Sequence, residues 1–346
     1  MRPARRPTRR HAPAAGGSRL DAGGRALAAA RRRLLASAFT LLVSIFASAA
    51  AANGGIAVFT SGPGEVYAET VAALTAELRK APGTRIVVGT AGVDRLDELL
   101  AGAGQTSTAS GLLIVTVGAT AARIVLEHAD LRTPVLATLL PRVTFEAMQR
   151  SARSPYGRRA TALFLDQPLT RQLDLLRIAL PGVQRIGAIT GAEGGIDPQR
   201  LRSIAESRQL TINAESVERE TELYPALERV LADAQAFLAI PDAQVINSAT
   251  AQNVLLTSFR FRVPVIGYSA AYVRAGALLA VYSSPAQIGT EAGELARAAA
   301  RGAAAAASKH PRYFSVAVNR QVARSLGLSI EEDAALRDRL QRLERE

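Results

Sequence analysis

The sequence predicts an α/β fold with two open, mostly parallel sheets and helices between their strands. Short apolar runs alternate with amphipathic stretches along almost the whole chain after residue 54. Two such series are separated by a polar connector at residues 151–159, and a last segment crosses back. Because the chain contains no long structureless linker, we expect several short hinge strands to join two lobes across a cleft.

The apolar runs of the first series define its elements. Runs rich in Val, Ile and Leu and bounded by Gly, Pro or Thr predict buried strands, and apolar residues on one side of the intervening stretches predict helices. The predicted strands are 55–60, 84–89, 111–117 and 133–139, and the predicted helices are 66–79, 93–101 and 121–127.

The second series repeats this alternation. Pro168 near a first turn and the pair Asp197-Pro198 indicate two helix starts. A charged stretch at the end of the chain is interpreted as a helix with a solvated face. The predicted strands are 160–165, 185–190, 210–217, 237–240, 264–267, 277–281 and 313–318, and the predicted helices are 168–180, 199–208, 223–232, 244–261, 285–301, 319–326 and 331–346.

Residues 1–53 are predicted to be a disordered basic leader followed by a signal peptide. Residues 1–33 hold ten arginines and one aspartate, which leaves +3 of the net charge of +12 for the rest of the chain. An uncharged apolar run at 34–52 follows, with the small-residue pattern Ala47-Ser48-Ala49 near its end. We expect cleavage within 49–52 and export from the cytoplasm, and an uncleaved membrane anchor is the alternative interpretation.

Composition limits the classes of function. With 48% hydrophobic and 21% charged residues, the 346-residue chain can bury the cores of two domains. Cysteine is absent and the three histidines are scattered, so no thiolate site, His-rich metal site or Ser/His/Asp arrangement is visible. The phosphate-loop and nucleophile-elbow motifs are also absent. We therefore expect no enzymatic activity and no cofactor, and the weakly basic folded part argues against nucleic-acid binding.

Three side chains lie at or just after predicted strand ends. They are Asp242, Tyr268 and Tyr282. Ligands of open parallel sheets bind beyond the carboxyl ends of the strands, so all three are candidate ligand contacts. Asp242 can accept hydrogen bonds from a ligand ammonium group or cap the helix that follows it, and the tyrosines can stack on an apolar ligand. Packing in the hinge is the alternative role for Tyr282.

Six segments, in this order and spacing, resemble the ABC-transporter substrate-binding proteins, in the group that includes tryptophan- and tyrosine-type uptake proteins. The resemblance implies the type I periplasmic-binding-protein architecture, with two Rossmann-like lobes that are connected by a hinge and close on a ligand. The segments are VTVGATAAR at 115–123, ATALFLD at 160–166, LDLLRIALPGVQRIGAI at 173–189, IPDAQV at 240–245, VPVIGYSAAYVRAGALLAVYSSPAQIG at 263–289 and SVAVNRQVARSLGLSI at 315–330.

The resemblance also implies which loops contact the ligand. The backbone N–H groups at 118–120 open a helix, and they are suited to bind a carboxylate. Thr120 and Asp166 are equally good candidates for cap or turn residues. The implied ligand contacts are Thr60, Ser61, Gly118, Ala119, Thr120, Asp166, Asp242 and Tyr268.

The sequence departs from the family pattern at two places. After the fourth strand, Leu140-Pro141-Arg142-Val143 replaces the frequent Asp-Pro-Val, and Ala243-Gln244 replaces the usual Asn-Thr. These changes alter polar positions that face the ligand, so an amino-acid ligand becomes doubtful. Arg142 is therefore added to the candidate contacts, with an anionic or more apolar ligand as the hypothesis and a solvent-facing arginine as the alternative.

The resemblance implies a periplasmic, monomeric solute-binding component of an ABC uptake transporter, whose partners are a small-molecule ligand and an ABC permease in the inner membrane. A ligand-sensing module coupled to a membrane receptor or kinase is the alternative. A LacI-type regulator shares the fold, but an apolar signal stands where its DNA-binding helices would be. The expected lobes are 54–159 with 284–308 and 160–283 with 309–330, followed by a charged tail at 331–346.

Overall fold

The computed structural model describes residues 55–81, 83–103, 112–128, 131–191, 196–242, 247, 249–304 and 306–345. The predicted leader and signal peptide at 1–53 lie outside the described residues. Within the described ranges, we find no helix with both the length and the hydropathy that a bilayer crossing requires.

The first sheet has five strands in the order β2-β1-β3-β4-β5, and all of its pairings are parallel. Strands such as IAVFT and LIVTV are buried at every residue, because helices cover both faces of the sheet. The last strand pairs within this sheet, although the expected second lobe begins at residue 160. The strands are β1 (Ile56–Thr60), β2 (Ile86–Thr90), β3 (Leu113–Val117), β4 (Val135–Thr138) and β5 (Thr161–Leu163).

The second sheet has six strands in the order β11-β10-β9-β8-β6-β7. Its pairings are parallel except for the last strand of the chain, which runs antiparallel to its neighbour. The prediction of two open, mostly parallel sheets is thus confirmed. The strands are β6 (Arg185–Gly191), β7 (Thr211–Val217), β8 (Ala236–Leu238), β9 (Val265–Gly267), β10 (Leu279–Tyr282) and β11 (Ser315–Val318).

Helices follow most strands, as the alternation predicts. Most of the predicted helices begin within three residues of the expected start. The largest difference is at the helix expected from residue 244, which begins at Ala251 in the described chain, and residues 243–246 and 248 lie outside it. The helices are α1 (Glu65–Leu78), α2 (Leu96–Gly102), α3 (Ala119–Glu127), α4 (Arg142–Ser151), α5 (Pro155–Arg158), α6 (Leu169–Ala179), α7 (Pro198–Glu206), α8 (Glu220–Leu231), α9 (Ala251–Arg260), α10 (Ala270–Ala275), α11 (Pro285–Ala300), α12 (Arg320–Ser325) and α13 (Asp333–Leu343).

Each sheet has a hydrophobic layer on both faces. In the first sheet, α1 and α11 cover one face and α2, α3 and α4 cover the other. In the second sheet, α6, α7 and α13 cover one face and α8, α9 and α10 cover the other. The interpretation of the terminal helix as a solvated face is wrong for one side of α13, since Leu336 and Leu340 are fully buried in the core.

Three segments of the described chain cross between the sheets, at residues 164–168, 283–284 and 309–314. The first and third run side by side, because Phe164 N–H donates to the Lys309 carbonyl at 2.9 Å. Gln167 Nε2 donates to Ser283 Oγ at 2.8 Å, and Ser283 Oγ donates to the Tyr313 carbonyl at 2.5 Å. These hydrogen bonds connect all three crossing segments to one another.

Candidate functional site

The predicted contacts of the first sheet meet at the carboxyl ends of β1 and β3. Ser61 Oγ accepts a hydrogen bond from Ala121 N–H at 2.9 Å, so this side chain caps α3 from the neighbouring strand. Gly118 has a φ of +93°, and a Cβ there would lie 2.6 Å from Ser61 Oγ and 2.7 Å from Tyr67 Cε1. Only glycine fits this conformation and this close approach.

The other predicted residues at this edge differ in exposure. Thr60 is 6% exposed, and its Oγ1 lies 3.4 Å from the Gly62 carbonyl oxygen. Ala119 is half-buried and Thr120 is exposed at the start of α3. Because Ser61 provides the side-chain cap of α3, the hydroxyl of Thr120 is left at the surface of this edge.

Arg142 and Asp166 are brought together where α4 begins. Arg142 N–H donates to Asp166 Oδ1 at 2.6 Å, and the guanidinium lies 3.4 Å from Glu146. His310, on the third crossing segment, places its Nδ1 2.8 Å from the Asp166 carbonyl oxygen and 3.5 Å from Asp166 Oδ2. Asp166 therefore links the start of α4 to two of the crossing segments.

The second sheet contributes the remaining predicted residues at its carboxyl edge. Asp242 is buried, and its Oδ2 accepts a hydrogen bond from Gly191 N–H at 3.2 Å. Tyr268 is half-buried and stacks on Tyr272, with ring centroids 4.9 Å apart and an interplanar angle of 21°. Tyr282 is half-buried at the end of β10, just before the second crossing segment.

A cavity of about 200 Å³ lies beside the first crossing segment. Two of the ten predicted contacts, Arg142 and Asp166, line it, and the other eight are absent from its described lining. Those eight stay predictions for ligand contact. The described lining consists of Pro141, Arg142, Val143, Asp166, Gln167, Pro168, Leu169, Thr170, Gln172, Ile196, Arg200, Ile204, Ile240, Pro241 and His310.

Sequence reasoning missed several lining residues. Arg200 and Ile204 are four residues apart, which places them on one side of α7, and this spacing was a readable signal. Ile196 lies just before this helix. Gln172 and His310 gave no such signal. The register of α6 brings Gln172 to the cavity, and the third crossing segment brings His310 there. Within the described residues, no group of three His, Asp or Glu side chains has the arrangement of a metal site.

The family model for ABC transporter substrate-binding proteins matches residues 85–338. The chain belongs to this family. The resemblance found in the sequence is thereby confirmed, and a comparison with curated proteins finds no match for this substrate-binding protein.

Solved structures of type I periplasmic binding proteins share the fold of this substrate-binding protein. A domain from Streptococcus pneumonia in complex with L-Trp is 19% identical, with a TM-score of 0.53 over 82% of this chain and 97% of that chain. A ligand-free, open substrate-binding protein with adhesive properties from Clostridium difficile is 14% identical, with a TM-score of 0.61 over 80% of this chain and 96% of that chain. A periplasmic ribose ABC transporter structure from Conexibacter woesei is 14% identical, with a TM-score of 0.50 over 81% and 96%.

Replacing Tyr272 by phenylalanine is expected to stabilise this substrate-binding protein by about 1 kcal/mol at neutral pH, because the buried Tyr272 hydroxyl has no hydrogen-bond partner among the described residues. Burial, with Tyr268 nearby, raises the pKa of Tyr272 above its usual value of 10.0. The unfolded chain therefore loses this proton first, and stability falls as pH rises above about 10.

Urea unfolding at pH 7 and at several pH values above 10 tests this expectation for Tyr272. The variant should lose less stability in the alkaline range than the parent protein. Tyr224→Phe is the matched control, because Tyr224 is 49% exposed. If the free energy of unfolding falls equally with pH in Tyr272→Phe and in the parent protein, Tyr272 is not the group responsible for the alkaline loss of stability.

Proposed function

We propose that this chain is the periplasmic solute-binding component of an ABC uptake transporter. It captures a small organic molecule between its two lobes and presents the molecule to an ABC permease in the inner membrane. Membership of the substrate-binding family supports the solute-binding role. Export through the apolar segment at 34–52, a monomeric state and the absence of catalysis are parts of the same proposal.

One observation carries this proposal: the lining of the cavity comes from both sheets. Pro141 and Arg142 follow β4 of the first sheet, whereas Ile240 and Pro241 follow β8 of the second sheet. A solute in this cavity therefore touches residues that belong to both lobes. Such a solute stabilises the closed form by the difference between its affinities for the closed and open forms.

The three crossing segments form the hinge of this proposed closure. Hinge motions concentrate backbone changes in a few connecting residues and leave packed layers intact. Here each sheet keeps its own hydrophobic layers, and the lobes are joined by three short crossing segments. We propose 54–159 with 284–308 and 160–283 with 309–330 as the moving bodies, with β5 remaining in the first sheet.

The ligand does not follow from the structural likeness. One similar structure holds L-Trp and another carries the name of a ribose transporter. The predicted contacts at the ends of β1, β3, β8, β9 and β10 are proposed as further ligand contacts in the same interlobe region.

A solute that this protein binds should raise its free energy of unfolding by about 2.7 kcal/mol at a concentration one hundred times the dissociation constant. The experiment extracts solutes from protein purified from the periplasm, identifies them by mass spectrometry and tests them by calorimetry and thermal unfolding. Uptake of the identified solute by cells with and without the gene then tests transport. Binding without any loss of uptake would refute the transport role, and the absence of any bound solute would refute the binding role.

A further inference from the structure

We infer that the C-terminal end of α9 docks on an anionic phospholipid surface through Leu256, Phe259 and Phe261, with Arg260 and Arg262 beside them. This inference goes beyond the proposed solute-binding function, because it concerns a surface at the other edge of the second sheet from the cavity. It follows from the exposure of three apolar side chains, from the arginines around them and from their place in the fold.

Three large apolar side chains are exposed close together at the end of α9. Leu256 and Phe259 are each 51% exposed, and Phe261 is 41% exposed. The described chain has ten exposed large apolar side chains, and three of them fall within these six residues. Single exposed apolar residues are common on protein surfaces, whereas a cluster of them marks a site of contact with a partner or a membrane.

The pattern of α9 explains why these side chains face outward. Val254 and Leu255 are buried in a hydrophobic layer of the second sheet. Leu256, Phe259 and Arg260 are three and four residues apart, so they share the side of the helix that faces away from the sheet. That side is normally polar in a surface helix. Leucine and phenylalanine next to arginine are instead typical of helices that lie in the interface of a bilayer.

The charges around the apolar side chains are positive. Arg260 and Arg262 are exposed, and so is Arg274 in the last turn of α10, which packs beside α9. None of these three guanidinium groups forms an ion pair with another described residue. Residues 243–290 contain neither aspartate nor glutamate. The three arginines are therefore available to an anionic partner.

The acids at the end of the neighbouring helix α8 do not neutralise these arginines. Asp233, just after α8, pairs with Arg185 at 3.1 Å. Glu228, in the last turn of α8, is one exposed acid against three arginines. A net positive charge beside apolar side chains is complementary to anionic phospholipid headgroups. It disfavours a symmetric contact between two copies of the chain, since the arginines of the two copies would then face one another.

The position of this surface in the fold keeps it apart from the cavity. Helix α9 connects the parallel strands β8 and β9 and runs antiparallel to them, so its last turn lies at their amino ends. The cavity lies at the carboxyl ends, where Ile240 and Pro241 follow β8. Docking through the end of α9 therefore leaves the cavity accessible to a solute.

Site-specific fluorescence of the full chain tests this inference. The chain has no cysteine, so Leu256→Cys and, separately, Ser203→Cys each provide one thiol for an environment-sensitive fluorophore. Ser203 is exposed on α7, which covers the other face of the second sheet. We expect vesicles of phosphatidylglycerol and phosphatidylcholine to shift the emission of the label at 256 to shorter wavelengths and to leave the label at 203 unchanged. Vesicles of phosphatidylcholine alone should shift neither label.

The comparison of the two labels separates docking of α9 from other membrane binding. Both labelled proteins carry the same residues 1–53, so insertion of the predicted signal peptide alone does not make the labels differ. Equal shifts at both positions, or no shift at 256, would overturn the inference, as would an equal shift at 256 with both kinds of vesicle. A shift at 256 that grows with protein concentration in the absence of vesicles would assign the surface to a second copy and would also overturn it.

Variants of the protein labelled at 256 then test the role of each group. Arg260→Gln and Arg262→Gln should each lower the ratio of docked to undocked protein about fivefold, because each guanidinium is attracted to the anionic headgroups. Phe259→Ser should lower this ratio at least about tenfold, because it removes a ring that leaves water on docking. Arg177→Gln is the matched control, because Arg177 is exposed on α6, over the other face of the sheet. An unchanged ratio in both arginine variants at positions 260 and 262 would overturn the inference.

Discussion

Arg171→Met is expected to lower the free energy of unfolding by about 3 kcal/mol. The Arg171 side chain is 9% exposed, and its guanidinium forms a two-pronged ion pair with Glu344 of the C-terminal segment. It also donates to Gln167 Oε1 and to the Pro311 carbonyl, each at 2.7 Å. Methionine removes the guanidinium, whose Cζ lies 4.3 Å from the centroid of the Phe314 ring, and leaves three acceptors without their donor. Urea unfolding of the parent and variant proteins measures the difference.

Arg177→Met is the matched control for Arg171. Arg177 lies on the same helix, α6, but its side chain is exposed, so its replacement should change stability by less than about 0.5 kcal/mol. If both variants lose a similar amount of unfolding free energy, the buried hydrogen bonds of Arg171 do not stabilise the protein.

The network around Arg171 also connects packing to the proposed motion. Gln167 and Pro311 lie on different crossing segments, and Gln167 Nε2 continues the network to Ser283 on the remaining one. One guanidinium thus holds all three segments and the end of α13. Buried polar networks of this kind fix one geometry, because each member leaves its partners unsatisfied when it moves. We therefore expect the proposed hinge motion to leave the crossing segments in their positions relative to one another.

The strands were predictable because fully buried parallel strands need continuous apolar runs. The runs at β1, β3 and β8 are of this kind, and all of their residues are buried. The terminal helix α13 was misinterpreted because its charged residues outnumber Leu336 and Leu340, the two leucines that reach the core. Two leucines at a spacing of four are a weak signal in a charged sequence, and tertiary packing gives them their role.

The candidate site was predictable only in part. The family resemblance led to Asp166, and the departure from the family pattern after the fourth strand led to Arg142. Both residues line the cavity. Gln172 and His310 come to the same place through the register of α6 and through the third crossing segment. No local pattern encodes that proximity, since it depends on residues far apart in sequence.

Gly289→Ala is expected to lower the free energy of unfolding by about 2 to 3 kcal/mol. Gly289 lies where α11 packs against α1, and a Cβ there would be 2.2 Å from the Thr70 carbonyl oxygen and 2.9 Å from the Ala73 Cβ. The backbone of α1 must then move away, which opens the layer that Ile288 and Ala292 fill. Helix propensity alone predicts the opposite sign, because alanine in a helix is about 1 kcal/mol better than glycine.

Whether Gly289→Ala lowers or raises the free energy of unfolding therefore shows whether close helix packing or helix propensity has the larger effect. Gly182→Ala is the control, since Gly182 has nothing within 4 Å of its added Cβ and should change stability by less than about 0.5 kcal/mol. Chemical denaturation of both variants gives the comparison, and a gain in stability for Gly289→Ala would disprove the close approach.

The close approach of α1 and α11 is repeated at Gly293, where an added Cβ would lie 2.5 Å from Glu77 Cβ. Among the described helices that cover the first sheet, only α11 directly follows a strand of the second sheet. Weaker packing of α11 is therefore also expected to weaken the anchoring of the crossing segment that precedes it.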